Sequence, residues 1–82
     1  MIKVESYEYT RITQRTAKKL FNNGVIIHLL PCKVGFNSMW VKPCDIKKTA
    51  DTSETFDKHI NAYHYYNCNS ELGTYISYYT KN

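Results

Sequence analysis

FDKHINAYHYYNCNSELGTYISYY, residues 56–79, decides the fold of this 82-residue chain. It holds six of the eight tyrosines, two of the three histidines and one of the three cysteines. Phe56, Ile60, Tyr63 and Asn67 recur at i, i+4, i+7 and i+11, one face of a helix. His59 and Tyr66 flank that face on one side and His64 on the other. Tyr65 points nearly opposite, toward solvent or a partner. Asp51, Thr52 and Ser53 offer oxygens to cap the helix start, and Asp51-x-x-Glu54 approximates a capping box. Asn67, Asn69 and Gly73 supply residues for a left-handed turn at its end. Residues 74–80 then alternate, with Tyr75, Ser77 and Tyr79 on one face and Ile76, Tyr78 and Thr80 on the other. Aromatic and β-branched residues in that pattern favour a strand.

The same patterns organise the chain before this stretch. Residues 2–10 alternate and predict a first strand. Thr13 caps a helix, with Ile12 packing on Ala17 as a hydrophobic staple. Ala17, Leu20 and Phe21 form its inner face. Asn22-Asn23-Gly24 stops it, with Gly24 where positive φ costs least. Residues 25–30 are apolar except for His28, as in a central strand covered on both faces. Pro31 is expected to end its pairing. Residues 33–37 predict a hairpin connection containing Gly35. Residues 38–42 predict a short strand stopped by Pro43, and residues 44–53 a polar loop. The predicted fold is α+β, in the order β-α-β-β-α-β: a mostly antiparallel sheet with two helices on one face, forming a single compact domain over 1–82. The expected core is Leu20, Phe21, Ile27, Leu29, Phe56, Ile60 and Tyr63.

Composition narrows the function classes. So short a chain buries only about 60–65% of its unfolded surface, so tyrosines must build much of a small core. No apolar run reaches membrane-spanning length, and the opening MIKVESYEY has no signal-peptide core. Three cysteines with no paired framework suit a reducing compartment, so a cytoplasmic protein is expected. The net charge of +4 excludes a DNA mimic, which needs a dense acidic surface. Contact with nucleic acid or an acidic protein face remains open.

Four constellations carry candidate chemistry. His64 and Cys68 lie at i, i+4, and Cys32 and Cys44 could complete a zinc set. Their spacings match no knuckle, and buried thiols beside a core-flanking histidine are the preferred reading, so no metal or cofactor is expected. Arg11, Arg15, Lys18 and Lys19 form a basic stripe on the first helix, suited to phosphate contacts. Lys33, Lys42, Lys47 and Lys48 add charge mid-chain. No nucleophile elbow, phosphate-cradling glycine loop or H-E-x-x-H marks an enzyme, and His28 reads as a satisfied core histidine. Trp40, Tyr65, Tyr75 and Tyr79 are the expected partner-binding aromatics, because Trp and Tyr bury large areas with few rotatable bonds.

The runs Leu30-Pro31-Cys32-Lys33 and Asn61-Ala62-Tyr63-His64-Tyr65-Tyr66-Asn67-Cys68-Asn69, followed by Glu71-Leu72-Gly73, carry a resemblance. Over residues 12–79 the chain resembles small accessory proteins of phages and conjugative elements of Gram-positive bacteria. That resemblance implies a mobile-element setting and, by analogy with anti-CRISPR proteins, an inhibitor that binds a host defence complex. The function expected is therefore non-enzymatic protein binding. The alternative is nucleic-acid binding through Arg11, Arg15, Lys18 and Lys19.

Overall fold

The computed structural model describes residues 2–4, 7–33, 36–37, 43–68 and 74–82. It is an α+β fold with the elements β1 (Ile2–Val4), β2 (Tyr7–Ile12), α1 (Gln14–Asn22), β3 (Ile27–Lys33), β4 (Phe36–Asn37), β5 (Cys44–Ile46), α2 (Phe56–Asn67) and β6 (Thr74–Lys81). One antiparallel sheet runs β1-β2-β6-β3-β4, with β5 also pairing β3. β6 therefore lies between β2 and β3. Tyr79 sits opposite Arg11 on one side and His28 on the other.

Both helices cover one face. Ala17 and Phe21 of α1 and Phe56, Ile60 and Tyr63 of α2 meet Ile27, Leu29, Ile46, Ile76 and Tyr78 in the main core. Six of the seven expected core residues are buried, and Leu20 packs at the edge, partly buried. The centre of this core is aromatic. The Phe21 ring stands edge-on to Phe56 with centroids 5.5 Å apart, and Phe56 stacks on Tyr78 at 6.1 Å. Tyr63 threads through this layer, and its hydroxyl donates to the Leu29 carbonyl at 3.4 Å. On the other face Tyr9, Leu30 and Tyr79 form a second, smaller cluster. β3 is thus buried on both faces, as its apolar run requires.

α1 begins and ends as its sequence dictates. The Thr13 hydroxyl accepts from Thr16 N–H at 3.2 Å, and Ile12 packs on the core beside Ala17. At the other end Gly24 N–H reaches Phe21 O and Val25 N–H reaches Leu20 O, both at 3.0 Å. That paired closure needs a left-handed residue, and Gly24 has φ of 87°.

Several expectations are corrected. The predicted first strand is two strands: Ile2 pairs Tyr9 and Val4 pairs Tyr7, so the chain doubles back. Pairing does not stop at Pro31, which lies opposite Ile76 inside β3. Among the described residues, β5 pairs β3 up to Leu29 and β4 pairs it from Cys32, so none pairs Pro31 on that side, where a proline has no N–H to leave unsatisfied. Three residues of the predicted 44–53 loop form β5, too short for alternation to reveal. Asp51 does not cap α2. Its carboxylate accepts from Ser53 N–H at 2.9 Å and from the Ser53 hydroxyl at 2.7 Å, bonds that hold it below the usual carboxylate range. The cap is Thr55, whose hydroxyl accepts from Lys58 N–H. The predicted strand at 38–42 and the turn residues Asn69 and Gly73 lie outside the described residues.

Removing the Phe56 ring opens a cavity between α1, α2 and β6. Phe56→Ala should cost about 3–5 kcal/mol, measured by urea denaturation. No atom would meet a Cβ at Gly24, so Gly24→Ala tests backbone strain alone. It should cost about 1 kcal/mol in the same assay.

Candidate functional site

The exposed surface of α2 follows from its phase. Phe56, Ile60 and Tyr63 point to the core, which leaves Lys58, Asn61, Ala62 and Tyr65 facing solvent. Beyond Tyr63, Tyr66 and Asn67 are exposed too, while Cys68 packs back against the main core. Tyr65 and Tyr66 are each 80% exposed. Their rings meet edge to face, centroids 5.1 Å apart and planes at 86°. The turn that carries them is tied down: Asn67 Nδ2 donates to Tyr63 O at 3.1 Å and Cys68 N–H to His64 O at 3.0 Å. Two large exposed rings stand on a hydrogen-bonded helix end.

The expected aromatic set does not converge. Tyr65 stands on the helical layer, whereas Tyr75 lies on the opposite face of the sheet, 38% exposed beside Arg11. Tyr79 is the correction: at 1% exposure it is unavailable to a partner. Period-two alternation places Tyr79 on a face, but it cannot tell that β2 and β3 flank that face. Trp40 lies outside the described residues. Tyr66, read from the helical wheel as flanking the buried face, is exposed.

The basic stripe is also divided. Arg11 belongs to β2, not to the first helix, and its guanidinium lies 5.8 Å from the Tyr75 ring centroid. Arg15, Lys18 and Lys19 are exposed on α1, and Lys18 Nζ reaches Asp57 of α2 at 3.2 Å. That exposed pair adds little stability, about 0–1 kcal/mol, but it spends part of the positive face on a neighbouring carboxylate.

Cys44 is exposed and Cys68 partly buried, and both thiols are free. Burial raises the pKa of each, helped at Cys44 by the Asp45 charge. Both approach Tyr63, whose phenol is pushed up first by burial and then by the two sulfurs. Among the described residues no three His, Cys, Asp or Glu side chains gather to hold a metal ion. His28 is buried with Nδ1 at 2.5 Å from Asp45 Oδ1 and its ring edge-on to Tyr9, a satisfied core histidine. No helix is long and apolar enough to cross a membrane among the described residues. Neither a protein-family model, nor a curated protein, nor a solved structure matches the chain.

The raised groups give a pH dependence with a defined sign. Burial favours the neutral Tyr63 phenol, so its contribution is fully present below the ordinary tyrosine value of about 10. It is lost as pH rises beyond that value, because the unfolded chain ionises first. Between about pH 8 and about pH 10.5 the urea midpoint of the wild type should fall more than that of Tyr63→Phe. At neutral pH, iodoacetamide should label Cys44 and Cys68 more slowly than a free thiol, read by peptide mass spectrometry. Labelling at the free-thiol rate would show that burial does not control these sulfurs.

Proposed function

We propose that this chain is a non-enzymatic protein-binding module whose principal contact is the Tyr65–Tyr66 pair. The observation that carries the proposal is that two adjacent tyrosines stand almost fully exposed on a capped helix end. Each ring carries a large apolar area and loses little conformational freedom on binding. Their contact with one another reduces that loss further. Along the exposed face of α2, Lys58 lies two turns away and faces Glu54 at 3.7 Å. The basic residues of α1 then steer encounter more than they hold the complex. The resemblance carried by residues 30–33 and 61–73 supports a mobile-element accessory protein, with a host defence complex such as CRISPR–Cas as the proposed target. A nucleic-acid role for α1 ranks second, because Arg11 is elsewhere and Lys18 is engaged.

The test is a tagged pull-down from the bacterial host, with and without nuclease, followed by titration of variants against the recovered partner. A nuclease-resistant protein partner is expected. Tyr65→Ala and Tyr66→Ala should each weaken its binding by about 2 kcal/mol or more, while Arg15→Glu with Lys18→Glu should stay within about tenfold at physiological salt. Loss of every partner on nuclease treatment, or charge reversal abolishing binding while both tyrosine variants bind normally, would overturn the proposal.

A further inference from the structure

β6 runs on past the end of the strand beside it. Its pairing with β2 extends from Lys81 opposite Tyr9 to Tyr78 opposite Ile12, and there β2 ends. Gln14, which would face Ile76 had β2 continued, is instead the first residue of α1. On its other side β6 pairs β3 along residues 74–79. The phase of the ladder fixes which backbone groups are left over. Asn82 N–H donates to Glu8 O at 2.9 Å, directly across the β2–β6 ladder. Hydrogen-bonded positions in an antiparallel ladder recur every second residue, so Tyr78 and Thr80 bond toward β2 while Tyr75, Ser77 and Tyr79 bond toward β3. Pro31 agrees with this phase, since it lies opposite Ile76, where β3 needs no N–H for β6. Thr74 and Ile76 therefore turn N–H and C=O toward the side that β2 has left, and no described strand pairs them there. A cleft of about 470 Å³ opens at this place, with Ile12, Thr13 and Gln14 on one wall and Ile76, Ser77 and Tyr78 on the other. The Ser77 hydroxyl is buried in that wall with no hydrogen-bond partner among the described residues. None of the described residues lining the cleft is acidic, and the first turn of α1 at its rim carries Arg15 and no acid.

We propose that this cleft takes an extended segment of a partner protein, apolar in alternation and carrying a carboxylate, as a strand added beside β6, independently of the contact at Tyr65 and Tyr66. Donors and acceptors spaced two residues apart along a strand edge are matched by a second extended backbone lying about 4.8 Å away. Such a segment continues the line of β2 and gives Thr74 and Ile76 the partners that β2 does not. Its alternate side chains meet the apolar walls at Ile12 and Ile76, and its carboxylate meets the positive rim at Arg15. Arg11 is already engaged at the Tyr75 ring and is not needed for this contact. A second copy of this chain is the poorer occupant, because it brings the same net charge of +4 to a rim that favours acid.

Hydrogen exchange followed by NMR tests the edge without any ligand. The Ile76 amide should exchange at least about tenfold faster than those of Ser77 and Tyr78, which bond to β3 and β2. The binding probe is a phage-displayed library of random peptides of about 12 residues, selected against the whole chain, with an enriched peptide then synthesised and titrated. Enriched peptides should alternate apolar and polar positions and carry Asp or Glu, and the bound peptide should slow exchange at Ile76 about tenfold or more. N-methylation of Ile76, introduced by ligating synthetic residues 68–82 at Cys68, removes that one N–H. It should leave cooperative urea unfolding intact and weaken the peptide about tenfold or more, whereas Tyr65→Ala should change its affinity less than about twofold. Enrichment of no peptide or of basic ones, protection of Ile76 in the free monomer, failure of the N-methylated chain to fold, self-association that protects Ile76 without peptide, or a peptide indifferent to N-methylation would overturn the proposal. None of these results would change the protein partner that Tyr65 and Tyr66 recover by pull-down, so the two proposals fail separately.

Discussion

The structure depends on β6 entering the sheet between β2 and β3. It is the last strand of the chain, yet it pairs on both sides and is buried on both faces at residues 76–79. Without it β2 and β3 have no shared neighbour, and the helices lose Ile76 and Tyr78 from the layer beneath them. The core needs Ile76 and Tyr78 of β6 beside residues far earlier in the sequence, so pairing is non-local and loop closure precedes reward. Register is tightly specified for the same reason. A one-residue slip would turn Tyr79 and Ser77 toward the helices and Ile76 and Tyr78 away, exchanging two packed surfaces at once.

Tyrosine does several jobs in this small domain. Tyr63 and Tyr78 fill core volume that a chain of this size lacks in larger aliphatic layers, and Tyr63 keeps a polar partner in the Leu29 carbonyl. Tyr9 and Tyr79 build the second cluster. Tyr7, Tyr65, Tyr66 and Tyr75 remain accessible near the ends of their elements. A residue with an apolar body and a polar tip suits all of these settings, so residue type alone does not sort them. Position relative to the ends of the layers does.

Charge is distributed rather than concentrated. α1 shares a cation with Asp57 of α2, the sheet keeps Arg11 and Lys81 against aromatic rings, and Lys48 Nζ donates to the Asn22 carbonyl near the end of α1. A net charge of +4 therefore does not define a single electropositive surface. It places cations beside different kinds of neighbour.

Local periodicity by itself determined the α+β class, both helices, the capping at Thr13 and Gly24, the closing strand and six residues of the main core. Each of these rests on neighbours within a turn or a few residues. Only tertiary structure decided that β6 is central, that Tyr79 is buried, that Arg11 leaves the basic helix and that Cys44-Asp45-Ile46 is a strand. Alternation assigns a side chain to a face but is silent about what lies beside or over it. A helical wheel likewise gives direction without showing how far neighbouring elements reach around the helix, so it leaves the exposure of a flanking residue such as Tyr66 open. The candidate surface was legible at Tyr65, whose phase opposes the core, and illegible where exposure depends on which distant strand arrives alongside.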